Sequence, residues 1–134
     1  MKYKILGNTG LKVSTLCLGT MNYSGKGFFN YMGNLDQNAV DEQIKTVTEA
    51  GVNFIDTSNI YSNGLSEVMI CQAIKNLSIN RDDLVLATKV RGTMGKSQND
   101  LGLSKKHIIQ QVEGTLKRLG TDYIDLYQIH VCVS

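Results

Sequence analysis

Four residues of this chain have side chains that could move a proton between them: Asp56, Tyr61, Lys89 and His130. Asp56, Lys89 and His130 each close a short apolar run, and Tyr61 lies five residues beyond the first of them. If those runs are neighbouring parallel strands, all four groups meet at one end of one sheet. A phenol there could act as an acid. A cation beside it favours the phenolate left when the proton departs. A carboxylate paired with that cation removes the cost of burying either charge alone. An imidazole could donate a hydrogen bond to a carbonyl oxygen and so polarise and orient it. Each residue also has an ordinary reading by itself. Asp56 suits a turn, Lys89 an exposed strand end, Tyr61 a core, and His130 a satisfied half-buried site. Their recurrence at strand ends is what joins them.

The elements that must position them can be read from the pattern. Residues 3–6 and 11–18 flank Gly7-Asn8-Thr9-Gly10, which predicts a β-hairpin. Strands are then expected at 16–20, 52–56, 84–90 and 123–130. The first intervening helix starts near Asp36, carries Val40, Ile44 and Val47 at helical spacing, and stops at Gly51. The second is capped by Ser66 and has Ile70, Ala73, Ile74 and Leu77 as its stripe. The third opens at Ser104, faces inward with Ile109, Val112, Leu116 and Leu119, and stops at Gly120.

Strands alternating with helices imply βαβ units, a parallel sheet and right-handed crossovers. The fold class is therefore α/β, as a (β/α)8 barrel or a doubly wound open sheet. The chain has no G-x-G-x-x-G after its first strand and no P-loop, which counts against a nucleotide-binding open sheet. Side-chain parity favours the barrel. Phe54 with Asp56, Val85 and Ala87 with Lys89, and Leu126 and Gln128 with His130 each share one face of their strand. Polar groups at the last inward positions of several strands are how barrel enzymes build their sites.

The bulk numbers bound the partners. A chain of 134 residues suggests one domain, spanning 1–134. The net charge of +2 is spread along the chain, which argues against nucleic acid and against a membrane surface. No apolar stretch approaches the ~20 residues of a membrane span. The start MKYKILGNTGLKV lacks the apolar core of a signal peptide, so the cytoplasm is the expected location. Three cysteines without a C-x-x-C pair suggest neither disulfides nor zinc. Cys17 and Cys71 lie in apolar runs and read as inert core thiols, and Cys132 is terminal. The loop 22–35 holds Tyr23, Phe28, Phe29 and Tyr31, which could wall a substrate pocket or cover the rim. In the polar loop 91–103, Arg91 and Lys96 could meet an anionic substrate, but the loop reads first as solvated.

Four segments also resemble one family in order and spacing: LGNTGLKVSTLCLGTM (6–21), GVNFIDTSNIYSNGLSE (51–67), LVLATKV (84–90) and GLSKKHIIQQVEGTLKRLGTDYIDLYQIH (102–130). Together they are similar to the N-terminal part of an aldo-keto reductase. The resemblance implies a (β/α)8 barrel with a β-hairpin across its bottom, and reduction of a small aldehyde or ketone by hydride from NADPH, with NADH possible. It makes Tyr61 the proton donor, Lys89 the lysine that makes that tyrosine a better acid, Asp56 the partner of the lysine, and His130 the residue that orients the carbonyl. Gly19, Thr20 and Met21, with Asp56, match the segment near the nicotinamide ribose. A full barrel takes about 250 residues, and this chain supplies four of its eight strands. The expectation is a half-barrel from a truncated or split gene product, or from an incompletely read gene. It is expected to show no turnover alone, because most cofactor contacts of the family come from the second half. The ending Val131-Cys132-Val133-Ser134 also lacks the acidic residue usual after this histidine. The rival expectations are an inactive fragment that self-associates or joins a complementary half, and a binding or regulatory subunit of the kind found beside channels.

Overall fold

Four parallel strands run side by side in sequence order: β3 (Leu18–Gly19), β4 (Phe54–Asp56), β5 (Val85–Val90) and β6 (Leu126–Ile129). This is a computed structural model. It describes residues 1–131, so Cys132, Val133 and Ser134 lie outside the described residues. The registers Leu18↔Ile55, Phe54↔Val85 and Ala87↔Leu126 stagger the strands without reversing their order. A doubly wound sheet would reverse that order at a switch point. Unbroken sequence order is the winding of a barrel, here carried through four strands.

Three helices connect the strands and pack on one face. α1 (Gln37–Glu49) begins at Asp36, whose carboxylate accepts the Ala39 N–H at 2.9 Å. α2 (Leu65–Asn76) follows β4, and α3 (Lys105–Leu119) follows β5. The Ser104 hydroxyl oxygen accepts the His107 N–H to start α3, and Gly120 closes it in the left-handed region. The core lies between these helices and the outer face of the sheet. Val40, Ile44, Ile55, Ile70, Ala73, Leu86 and Leu119 are buried there, with Tyr23 from the first loop. Ile55 and Leu86 alternate with the inward residues, as period-two geometry requires.

The hairpin β1 (Tyr3–Ile5) with β2 (Lys12–Ser14) is antiparallel and separate from the main sheet. It is pinned beneath β4 by Asn53, whose side-chain oxygen accepts the Ser14 N–H at 2.7 Å. The Asn53 amide nitrogen donates back to the Lys12 carbonyl at 3.1 Å. The hairpin thus sits at the amino ends of the strands, away from the residues at their carboxyl ends.

Several expectations need correction. The strand expected at 16–20 shrinks to Leu18–Gly19, because the Ser14 hydroxyl turns the chain by donating to Leu16 O. Leu16 is exposed as a result, and so is Cys17, which is not a core thiol. Cys71 is buried as expected. Ser66 does not cap α2. Gly64 holds the cap position, and the Ser66 hydroxyl bonds across to Thr20 instead. The inward face of α3 is rotated: Ile109 is 45% exposed, while His107, Thr115 and Leu119 are buried. That rotation serves a polar cluster described below.

Candidate functional site

The site begins with the way β4 continues past its last paired residue. Thr57 N–H donates to Ala87 O at 2.9 Å, and Asn59 N–H donates to Lys89 O at 3.3 Å. The segment 57–59 therefore runs on along β5 and reaches Lys89. The chain then turns sharply: Tyr61 N–H donates to Ser58 O, and Ser62, Asn63 and Gly64 follow with φ of 48°, 56° and 90°. Left-handed backbone is costly for serine. The Ser62 hydroxyl holds it by donating to Tyr23 O at 2.7 Å. This turn lays the phenol of Tyr61 over the end of β5.

Lys89 is the hub. Its ammonium donates to Asp56 Oδ2 at 2.6 Å, to Thr57 O at 2.8 Å and to the Tyr61 hydroxyl at 3.4 Å. An ammonium has three protons, and all three are used. The Lys89 side chain is 13% exposed and that of Asp56 29%, so the ion pair is largely but not wholly removed from water. The second Asp56 oxygen accepts from Gln128 Nε2 at 3.0 Å.

His130 enters from the neighbouring strand. Its N–H donates to Val90 O at 3.1 Å, extending the β5–β6 ladder to this residue. Its ring stands nearly perpendicular to that of Tyr61, with centroids 5.7 Å apart. Its Nδ1 lies 3.1 Å from the Ser58 hydroxyl. Burial holds the His130 pKa below its ordinary value. The nearby Lys89 cation and Arg91 add to this, and the Asp56 carboxylate opposes them. An imidazole kept neutral has one N–H to offer.

The four residues singled out by sequence therefore come together. The expected cofactor segment is more mixed. Gly19 is exposed, and a Cβ placed on it would meet open space. Thr20 is fully buried, with its hydroxyl donating to Asp56 O at 3.2 Å and lying 2.8 Å from Ser66 Oγ. Its backbone is occupied too, since its N–H donates to Asp56 O at 3.1 Å and its carbonyl accepts from Tyr23 N–H and the Ser66 hydroxyl. Contrary to expectation, Thr20 therefore belongs to the framework that ties β3 to β4 and does not face a ligand. Met21 is half-buried. Cys17 sits close enough to feel both Asp56 and Lys89. Although the residue is exposed, its sulfur is partly enclosed, and the thiol is pushed up to about 11 by that partial burial first and by Asp56 second, so it is a poor nucleophile at neutral pH. Among the described residues there is no cluster of groups suited to a metal ion.

The first loop divides its aromatics. Tyr23 is buried in the core, whereas Phe28 and Tyr31 are exposed. Phe29 alone reaches the site, packing edge-on against Tyr61 at 5.6 Å between centroids. In the second loop Lys96 is exposed, in keeping with the solvated reading.

Sequence reasoning missed three contributors. Ser58 and Gln128 bond directly to His130 and Asp56. Glu67 is fully buried, and its carboxylate accepts from Thr88 Oγ1 at 2.7 Å, Thr115 Oγ1 at 3.0 Å and Arg118 Nε at 2.6 Å. A signal for Glu67 was present, since it falls at helical spacing on the same stripe as Ile70 and Ile74. A groove of about 670 Å³ lies at the amino ends of the strands against Arg81, Leu116 and Tyr123. It contains none of the four candidate catalytic residues.

The chain is similar to known proteins over nearly its whole length. The model of the Aldo/keto reductase family matches residues 15–133. A protein of Arabidopsis thaliana named "Probable voltage-gated potassium channel subunit beta" is 38% identical over 97% of this chain and 37% of its own length. The aldo-keto reductase AMT2 of Alternaria alternata is 36% identical over 96% of this chain and 41% of its own length. Among solved structures, an aldo-keto reductase from Bacillus halodurans in its holo form is 35% identical with a TM-score of 0.75, covering 96% of this chain and 40% of that one. A thermostable aldo-keto reductase bound to epalrestat is 36% identical with a TM-score of 0.76, covering 97% and 43%. The chain thus spans about two fifths of the length of the relatives it matches. Within that span the strand order and helix placement are those of half a (β/α)8 barrel, and the chain belongs to the aldo/keto reductase family.

Proposed function

We propose that this chain forms the catalytic half of a carbonyl reductase, as one domain over 1–134 that turns a small aldehyde or ketone into an alcohol. NADPH is the preferred hydride donor in this reading, with NADH as the alternative, and the setting is cytoplasmic. One observation carries it: the Lys89 ammonium is held by Asp56 and lies 3.4 Å from the Tyr61 phenol oxygen.

The rim residues fit the reacting end of a nicotinamide cofactor. The open space at Gly19 admits a ring against backbone, and Asp56 lies beside it across the β3–β4 register. Gly19, Met21 and Asp56 would hold the nicotinamide ribose, with Thr20 bracing β3 against β4 behind them. When bound, the reduced cofactor supplies a hydride to the carbonyl carbon. As the carbonyl π bond opens, Tyr61 gives its phenolic proton to the oxygen. Lys89, 3.4 Å away, stabilises the negative charge left on the phenol oxygen as a preorganised cation. Asp56 and Thr57 O fix that ammonium in place. His130 donates its remaining N–H to the substrate oxygen and orients it. Phe29 shields one side of Tyr61 from water.

A second reading has its own support. β3 and β6 are unpaired edges of the sheet among the described residues, and unpaired edges invite pairing with another chain. The chain then acts by joining a complementary half, or a partner of the kind named for the channel-subunit relative.

The test is to supply the natively assembled protein with NADPH and an aromatic aldehyde. The carbonyl-reductase reading expects alcohol and NADP⁺ in equal amounts, with quenching of NADPH fluorescence on binding. Neither product nor binding, from a protein shown to be folded, overturns it in favour of the second reading.

A further inference from the structure

His130 can donate toward a carbonyl oxygen only if its proton sits on the ring nitrogen remote from Ser58. The surroundings of Ser58 decide where that proton sits. Ser58 is fully buried, and its hydroxyl lies 3.1 Å from His130 Nδ1. The same oxygen accepts the Ile60 N–H at 3.4 Å. Among the described residues, Nδ1 is the one bonded group that could accept a proton from this hydroxyl. A buried hydroxyl keeps its proton in a hydrogen bond. The proton of Ser58 therefore goes to Nδ1, and Nδ1 must be bare.

We infer that Ser58 is a positioning residue that locks His130 in the Nε2–H tautomer, so that the ring offers a donor to the substrate carbonyl. The purpose of this lock rests on the carbonyl-reductase reading, although its geometry does not. The arrangement is fixed from several sides. The backbone of His130 is tied to Val90, and the Tyr61 ring stands against the imidazole. Ser58 also holds the backbone of Tyr61, because its carbonyl accepts the Tyr61 N–H at 3.2 Å. One buried serine thus sets the proton donor with its carbonyl and the carbonyl-orienting ring with its hydroxyl. Burial and the neighbouring Lys89 and Arg91 keep the imidazole neutral against the pull of Asp56, and only a neutral ring has a tautomer to choose.

Nitrogen-15 spectra of the folded protein at neutral pH read the tautomer directly. The chain has two histidines, and His130→Asn assigns the signals. The expected native spectrum shows the His130 proton on Nε2 alone. In Ser58→Ala the ring should populate both tautomers, and Ser58→Thr, which keeps the hydroxyl, should restore one. Carbonyl reduction by Ser58→Ala should fall about five- to tenfold in kcat/KM, the usual worth of one neutral hydrogen bond. A native spectrum with the proton on Nδ1 overturns the inference without any variant. So does a Ser58→Ala spectrum identical to the native one. A tautomer change in a protein that reduces no carbonyl would leave the lock standing and remove the carbonyl-reductase reading instead.

Discussion

At the scale of single residues, the site is an exercise in assigning every proton of Lys89. Its three donors go to a carboxylate, a backbone carbonyl and a phenol, so the ammonium cannot turn away from Tyr61 without losing a bond. His130 makes the clearest prediction at this scale. Its folded pKa is below the ordinary 6.5, so at mildly acidic pH the unfolded chain binds more protons than the folded one. Its contribution to stability is then complete above about 6.5 and is lost as pH falls through the lowered folded value. Denaturation midpoints followed across this range should decline on the acid side, and His130→Gln should flatten the decline. An unchanged slope in the variant would contradict the assignment. Asp56, Tyr61, Lys89 and His130 were legible in the sequence because ionisable groups stand out at the ends of apolar runs. Ser58 and Gln128 were not, because neutral side chains give no such contrast, and only folding shows which atoms they meet.

At the scale of elements, Glu67 explains what the apolar pattern misread. Its carboxylate joins α2 to β5 through Thr88 and to α3 through Thr115 and Arg118. α3 must turn Thr115 inward to make this cluster, which carries Ile109 out to solvent. Reading hydrophobic periodicity alone could not find a face held by polar contacts. Thr88 is also the residue before Lys89, so the cluster braces the strand that carries the hub. Gly64 belongs to the same arrangement. Its φ is 90°, and a Cβ there would press within 2.7 Å of Arg118 Cδ. Arg118→Met should leave the fully buried Glu67 carboxylate without its cation, a change that costs about 3–5 kcal/mol. That is a large share of the ~5–15 kcal/mol that holds a typical domain together. Denaturant unfolding of the variant measures it, and a loss below about 1 kcal/mol would mean the cluster does not brace the fold. The caps at Asp36 and Ser104 and the stop at Gly120 were readable because capping is local. Ser66 was misread as a cap because its true partner, Thr20, is 46 residues away.

At the scale of the whole molecule, the sheet has a protected centre and two open sides. β5 is paired on both flanks, whereas β6 is paired with β5 alone among the described residues. His130 N–H points to β5, and alternation along a parallel strand turns the amides of Tyr127 and Ile129 the other way. Hydrogen exchange should be slowest in β5 and fast at Tyr127 and Ile129 when this chain is alone. Those two amides should slow when further strands complete the barrel, and protection there in the isolated chain would show that it closes its own edge. The barrel winding was legible because strand-helix alternation and inward parity are both written in the sequence. The short extent of β3 was not, since its end is set by a hydroxyl in the hairpin. All of this organisation serves one claim, that Tyr61 is placed by Lys89 to give up a proton. The most direct measurement is the rate of carbonyl reduction by Tyr61→Phe in the assembled enzyme. A fall of about 10²–10⁴-fold in kcat is predicted, the usual worth of a positioned acid, and a variant that keeps the full rate would contradict the account.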